Sequence, residues 1–320
     1  MLPTTLPRRY PALSSFALEY NNPQFVGDQV FPIVESETKD VRYGILDKLN
    51  MFQNVPDELA KDGEANEVGF GAATDIKMMK NYALKTTISR EDTADAESFV
   101  NVAMDQVTIL RAALALRREV RQANLLYTKL DGAGRSATSA VLWSDKTGSA
   151  PDIVAQVRDL RNLALYPYTK AVCPKQVFIQ LERAPSLVSQ WFTGNTGMKV
   201  LTQAQIEETL GVSLLIPDGR VSAQRRPGPI VGSMDAIGRI WGNHFFLLRV
   251  TDTIPNRMEP GCGYQFRRRW TKGTVGDNMQ VRAWYEPRLG IGGSDVVQQE
   301  YQALDLVLST DMGYVLKNVV

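Results

Sequence analysis

The window 72–131 contains neither glycine nor proline. The two residues that most readily break a helix are therefore missing over a long run. Its second part also has the charge order of one long helix. Glu91, Asp92, Asp95 and Glu97 stand at the start, and Arg117, Arg118, Arg121 and Lys129 near the end, which complements the helix dipole. Ser89 with Asp92 offers an N-cap, and Gly132 a stop. Val102, Ile109, Ala113, Leu116, Val120, Ala123 and Tyr127 recur along one stripe, with Gln106 in the remaining seat. A helix over 91–129 is roughly 57 Å long, more than the diameter of a small domain. The seven-residue spacing allows a coiled coil, but Gln106 and the many small residues favour packing on a sheet.

The segments around this helix divide the chain. Residues 1–30 read as an arm: Pro3, Pro7, Pro11 and Pro23 forbid a long helix, and the apolar residues keep no sustained period. Such an arm either frays or lies on an apolar surface of its own chain or of a neighbour. Residues 31–88 read as a two-stranded excursion, with alternation at Val41, Tyr43 and Ile45 and again at Tyr82, Leu84, Thr86 and Ile88. Its tip carries Asp57, Glu58, Asp62, Glu64 and Glu67 against one Lys, a strip that stays solvated or meets a basic partner. After the helix, 131–148 is a glycine-rich loop. Helices are expected after Pro151, after Pro174 and after the capping box Thr202/Gln205, the last closed by Gly211. Strands are expected at 170–173, 212–216, 237–250, 279–286, 296–308 and 314–319. The class is α+β.

Composition excludes several chemistries. The single histidine, His244, cannot make a two-histidine metal site, and Cys173 and Cys262 lie far apart. No phosphate loop, dinucleotide fingerprint, nucleophile elbow or zinc-protease motif is present. Gly290-Ile-Gly-Gly-Ser294 precedes a strand, so no helix N-terminus faces an anion there. His244 lies in a strand-like run without a nucleophile motif to serve, and both cysteines read as small buried hydrophobes. No catalytic residue, cofactor or metal is expected. No apolar run reaches the ~18 residues of a membrane span, and no partner membrane is expected.

The basic clusters are Arg225-Arg226 and Arg267-Arg268-Arg269, the latter before Trp270. Arginines beside an aromatic suit single-stranded nucleic acid, and they equally suit carboxylates of a neighbouring subunit. Three consecutive strand residues point to both faces, which favours the interface reading. The overall balance is 36 Lys plus Arg against 35 Asp plus Glu, but it is unevenly spread. Residues 31–88 hold seven bases and ten acids, 166–272 fourteen and seven, and 273–320 three and six. A surface tiled from copies can set acidic loop against basic domain.

Five stretches, taken in order, resemble the major capsid proteins of tailed bacteriophages, the Hong Kong 97 type fold. They are Asn22-Pro-Gln-Phe-Val-Gly-Asp-Gln-Val-Phe-Pro-Ile-Val34, the acidic-tipped excursion returning through 82–90, and the long helix. Ile240-Trp-Gly-Asn-His-Phe-Phe-Leu-Leu-Arg249 follows. Last is the tail from Val281-Arg-Ala-Trp-Tyr-Glu286 through Ser309-Thr-Asp-Met-Gly-Tyr-Val-Leu-Lys-Asn318.

The resemblance implies an N-terminal arm (1–30), an extended loop (31–88), a peripheral domain with a spine helix (89–165 and 272–312) and an axial domain (166–271 and 313–320). It implies a structural, non-enzymatic protein that self-assembles into pentamers and hexamers of an icosahedral head enclosing double-stranded DNA. Inter-subunit contacts are then expected at Asp57, Glu58, Asp62, Glu64, Glu67, Arg225, Arg226 and Arg267–Arg269. DNA-facing charge is expected at Arg8, Arg9, Arg117, Arg118 and Arg121. The partners implied are further copies, a separate scaffolding protein, a portal, a decoration protein and DNA bound without sequence preference. The location implied is the virion capsid, assembled in the bacterial host cytoplasm. Lys48 and Asn318 are available by type for the cross-link of one branch, but no acid in the sequence is assigned to such chemistry, and no bond is expected. Encapsulin nanocompartments share the fold and give the alternative, a cargo-storing shell. The rivals of other classes are an enzyme using His244 and a nucleic-acid-binding module using Arg267–Arg269.

Overall fold

The second part of the breaker-free stretch forms a helix of 34 residues, Phe99–Gly132, about 51 Å long. An element of that length cannot be covered by one small sheet, and it packs on two. The computed structural model describes residues 8–9, 24–45, 58, 73–89, 99–139, 141–145, 152–192, 199–222, 237–251, 261–270, 278–289 and 293–320. The helix start expected at 91–98 lies outside them.

In chain order, β1 (Arg8–Arg9) is followed by a short helix α1 (Gly27–Val30), β2 (Ile33–Ser36), β3 (Asp40–Ile45), β4 (Ala73–Met78) and β5 (Lys80–Ser89). The long helix is α2 (Phe99–Gly132), then β6 (Ser136–Thr138), α3 (Ile153–Asn162), β7 (Lys170–Val172), α4 (Lys175–Leu181), α5 (Pro185–Trp191) and α6 (Gln203–Leu210). Next come β8 (Ser213–Leu215), β9 (Arg220–Ser222), β10 (Ile237–Arg239), β11 (Phe245–Leu248), β12 (Gly263–Arg268), β13 (Gln280–Glu286), β14 (Ser294–Val307) and, after a 3-10 turn, β15 (Gly313–Lys317).

The larger sheet has six strands and is organised by the 14-residue β14. Along one edge β14 pairs first with β13 and then with β12, and along the other it pairs with β5 from Ser294↔Ser89 to Ala303↔Lys80. β2 runs parallel to β12, and β1 closes the far edge against Arg282 and Ala283 of β13. The second sheet has the order β6-β15-β11-β7-β8. Its one face carries α3 to α6 over Val157, Val177, Leu181, Leu187 and Ile206. Its other face meets the C-terminal half of α2 and the segment around α1, through Phe31, Leu126, Leu130, Phe246 and Leu248. The N-terminal half of α2 lies on the larger sheet through Val107, Leu110, Val281 and Val297.

Several local expectations hold. The capping box at Thr202 forms, and Gly211 ends α6 in the left-handed region at φ 65°. Other details differ. β3 pairs with β4, not with the alternating run 82–88, because β5 has a ten-residue partner in β14. The expected strand 237–250 is broken at Ile240–His244 into β10 and β11. The buried stripe of α2 runs through Val107, Leu110, Leu114, Ala123, Leu126 and Leu130, while Ile109 is 59% exposed. Alanines and leucines surround this helix, so periodicity alone left its buried face ambiguous.

Phe31 is fully buried where α1, α2 and the second sheet meet. Phe31→Ala is expected to cost about 3–5 kcal/mol in urea unfolding. Leu163→Ala, at a side chain 65% exposed, is expected to stay within about 0.5 kcal/mol.

Candidate functional site

Between the two apolar halves of α2 the buried stripe turns polar. Glu119 and Gln122 are buried where the spacing of Leu114, Ala123 and Leu126 would reserve apolar seats. Arg118 and Arg121 flank them. This is the junction between the two sheets, and it carries a connected set of hydrogen bonds and ion pairs.

Asp28 of α1 is its first node. Its Oδ2 accepts from Arg118 Nη2 at 2.7 Å, and its Oδ1 accepts from Arg267 Nη2 at 3.3 Å. Arg267 on β12 is 5% exposed and also donates from Nε to Gln265 Oε1 at 2.7 Å. Burial, with the nearby positive charge of Arg118, pushes its guanidinium down to about 10, which leaves it charged at neutral pH. Gln265 Nε2 in turn donates to Asp305 Oδ1 at 2.5 Å, and Gln122 Nε2 donates to the same oxygen at 3.1 Å. Arg121 lies 3.5 Å from Asp305, donates to the Tyr301 hydroxyl at 3.0 Å and stacks 3.7 Å above the Tyr82 ring. Three arginines thus share two carboxylates, Asp28 and Asp305, with the Glu119 carboxyl beside them.

Glu119 is the second node. Its Oε1 accepts from Val26 N–H at 3.0 Å and from Trp241 Nε1 at 2.7 Å, and its Oε2 accepts from Gly27 N–H at 2.8 Å. It thereby satisfies N–H groups that the start of a short helix leaves orphaned. A side chain at Gly27 would run into Glu119 Oε2 and Gln122 Oε1, which is why the position is glycine. Burial holds the Glu119 carboxyl above the ordinary glutamate range, outweighing the pull of its three donors and of Arg118.

The residues singled out from the sequence fall as follows. Arg267 belongs to this group. Arg268 donates to Gln302 Oε1 at 3.0 Å, and Arg269 donates to Glu35 Oε2 at 2.7 Å, so the three do alternate in direction. Each has a partner within its own chain. Arg118 and Arg121 are likewise engaged with Asp28 and Asp305, whereas Arg117 is exposed. Arg8 and Arg9 place their backbone on β13. Glu58 is exposed. Asp57, Asp62, Glu64, Glu67, Arg225, Arg226 and Lys48 lie outside the described residues.

The candidates for other chemistry are held in place. His244 stacks on Tyr127 at 4.8 Å and accepts from Asn318 N–H at 3.2 Å, and burial with Lys317 lowers it below the ordinary histidine range. The Cys262 thiol is pushed up to about 12 by burial, and Cys173 is raised likewise. Among the described residues no group of three His, Cys, Asp or Glu side chains is placed to hold a metal, and no helix is long and apolar enough to cross a membrane.

No protein-family model matches the chain. It is 23% identical to the major capsid protein of Pseudomonas phage JBD67 over 326 residues, covering 97% of this chain and 96% of that one. A phage-related protein from Bordetella bronchiseptica superposes with a TM-score of 0.70 at 16% identity, covering 98% of each chain. The chain has the phage major capsid fold. The capsid of cyanophage P-SCSP1u matches with a TM-score of 0.53 at 10% identity, over 90% of this chain and 86% of that one. An encapsulin complex from Synechococcus elongatus matches at 0.51 and 12% identity, over 91% and 86%. The charge group lies under the middle of α2.

The role of Asp28 sets an order among variants. Asp28→Asn leaves Arg267 buried without a full counter-charge and is expected to cost about 2 kcal/mol in urea unfolding. Arg267→Met removes the buried charge itself and is expected to cost less. Equal losses would mean that the pairing does not govern the site.

Proposed function

We infer that this chain is a phage major capsid protein, a structural subunit that self-associates into a closed shell. The observation that carries the inference is agreement along the whole length: a phage major capsid protein is related to it over 97% of the chain, and the TM-score of 0.70 covers 98% of it. The finer reading is that copies form pentamers and hexamers of an icosahedral head around double-stranded DNA in the virion. Assembly then takes place in the host cytoplasm, with a separate scaffolding protein, a portal and a decoration protein as partners. The division into arm (1–30), extended loop (31–88), peripheral domain (89–165 and 272–312) and axial domain (166–271 and 313–320) belongs to this reading. The mechanism is burial of interface, and no catalytic residue, cofactor or metal enters it.

The β3–β4 excursion supports self-association. Ile76 and Met78 stand on one face of β4, 55% and 61% exposed. A two-stranded ribbon has no second layer with which to bury such side chains, and a neighbouring copy supplies one. The acidic candidates Asp57, Glu58, Asp62, Glu64 and Glu67 are proposed to meet the basic 166–272 region of a neighbouring copy, with Arg225, Arg226, Arg268 and Arg269 as the contacts proposed there. Arg267 contributes by holding β12 in place from within. For DNA, Arg117 is the exposed charge on the spine helix, and Arg8 and Arg9 are proposed beside it. Arg118 and Arg121 act through their in-chain pairs.

The expressed chain is expected to form rings of five and six or closed shells by electron microscopy. Ile76→Asp with Met78→Asp is expected to leave unfolding free energy within about 0.5 kcal/mol and to abolish those particles. A wild-type chain that stays monomeric at all concentrations contradicts the reading. Particles from producing cells that enclose a folded protein instead of DNA favour the encapsulin alternative.

A further inference from the structure

Gln122 Oε1 is a buried acceptor with no donor among the described residues. Its amide orientation is set from the other end, because Nε2 donates to Asp305 Oδ1 at 3.1 Å. The orphaned oxygen therefore points back toward α1, and it crowds the same point beside Gly27 as Glu119 Oε2 does. Gln122 and Glu119 are three residues apart on α2 and share one face. Two buried oxygens that converge on one point, one of them on a carboxyl group, are unfavourable neighbours unless a proton lies between them.

We propose that Glu119 holds a proton in the folded chain and donates it to Gln122 Oε1, and that losing this proton loosens the root of the arm at Val26–Gly27 and the Trp241 turn. The hydrogen-bond inventory closes in that state. Oε1 is then the carbonyl oxygen and keeps its two donors, Val26 N–H and Trp241 Nε1–H. Oε2 carries the proton toward Gln122 and still offers a lone pair to Gly27 N–H. No step needs a group beyond the two side chains and solvent water, which supplies or takes the proton.

The charges facing Glu119 do not force it to ionise. Arg118 on its own helix is paired with Asp28 of α1, and Arg267 of β12 takes the other Asp28 oxygen. Arg121 and Asp305 pair with each other beyond Gln122. On the hairpin side, before Trp241, Arg239 is paired with Asp218. The direction of the linkage follows from burial. The closed site binds the proton more tightly than a hydrated carboxyl does, so closure is favoured as pH falls and weakened as pH rises through the value of the closed site. The inference concerns the fold of the chain itself and does not depend on shell formation.

The test is made on the whole chain. Infrared difference spectra, wild type minus Glu119→Gln, are expected to show one protonated carboxyl persisting above the pH at which ordinary glutamates ionise, about 4.3. Hydrogen exchange of the 24–31 backbone, corrected for its intrinsic pH dependence, is expected to rise about tenfold or more as that carboxyl ionises. Glu119→Gln keeps the acceptor for Val26 and Trp241 and gives Gln122 a donor, forfeiting only the bond from Gly27. It is expected to lose the pH-dependent component. Gln122→Met removes the proton's acceptor and is expected to move the infrared transition down toward the ordinary range. It keeps the question open to test should the Glu119 variant fold poorly. A wild-type carboxyl that ionises in the ordinary range, or a transition unmoved by Gln122→Met, overturns the proposal.

Discussion

A guanidinium removed from water must find an opposite charge, and Arg267 finds Asp28. Taking such a charge out of solvent costs several kcal/mol unless geometry and hydrogen bonds repay it. Asp28 is held by α1, and α1 is held by Glu119 of α2 through Val26 and Gly27. The strand that carries Arg267 is in register with β14 on one side and β2 on the other. One buried positive charge thus ties α1, α2 and the central strands of the larger sheet into a single arrangement.

The arrangement suits a subunit whose other parts reach outward. From the same junction the chain leaves through β2 into the β3–β4 excursion, and through Trp241 into the second sheet. The first departure carries apolar surface that the chain does not cover by itself, Ile76 and Met78. A phage shell places one sequence in several surroundings, so the parts that meet neighbours must adapt while the middle stays constant. The charge group supplies that constant middle, because ion pairs with defined geometry tolerate less displacement than an apolar contact does.

Much of this was legible in the sequence, for reasons that also explain what was not. Local signals survived: the second part of the breaker-free window became α2, Thr202 and Gln205 capped α6, and the strands expected at 279–286, 296–308 and 314–319 became β13, β14 and β15. What failed depended on contacts between distant residues. Arg267 and Asp28 are 239 positions apart and Trp241 and Glu119 are 122 apart, and no local pattern links them. Arginines near the C-terminal end of a helix complement its dipole and on the resemblance face DNA, and no local pattern shows that Arg118 and Arg121 turn to carboxylates at the junction between the two sheets. The one available hint was Glu119 with Gln122 between Leu114 and Leu126, polar residues where an apolar stripe should continue. The run 82–88 showed strand alternation correctly, but alternation does not name a partner, and β14 outcompeted β3 through a longer register.

The central claim is that this charge group is identical in every copy of the chain. A reconstruction of the assembled particle by cryo-electron microscopy, with each independent subunit built separately, tests it most directly. The account requires Asp28 between Arg118 and Arg267, and Glu119 against Val26, Gly27 and Trp241, in pentamers and hexamers alike. Subunits in which Asp28 releases Arg267, or in which α1 leaves α2 in one class of position, would contradict it.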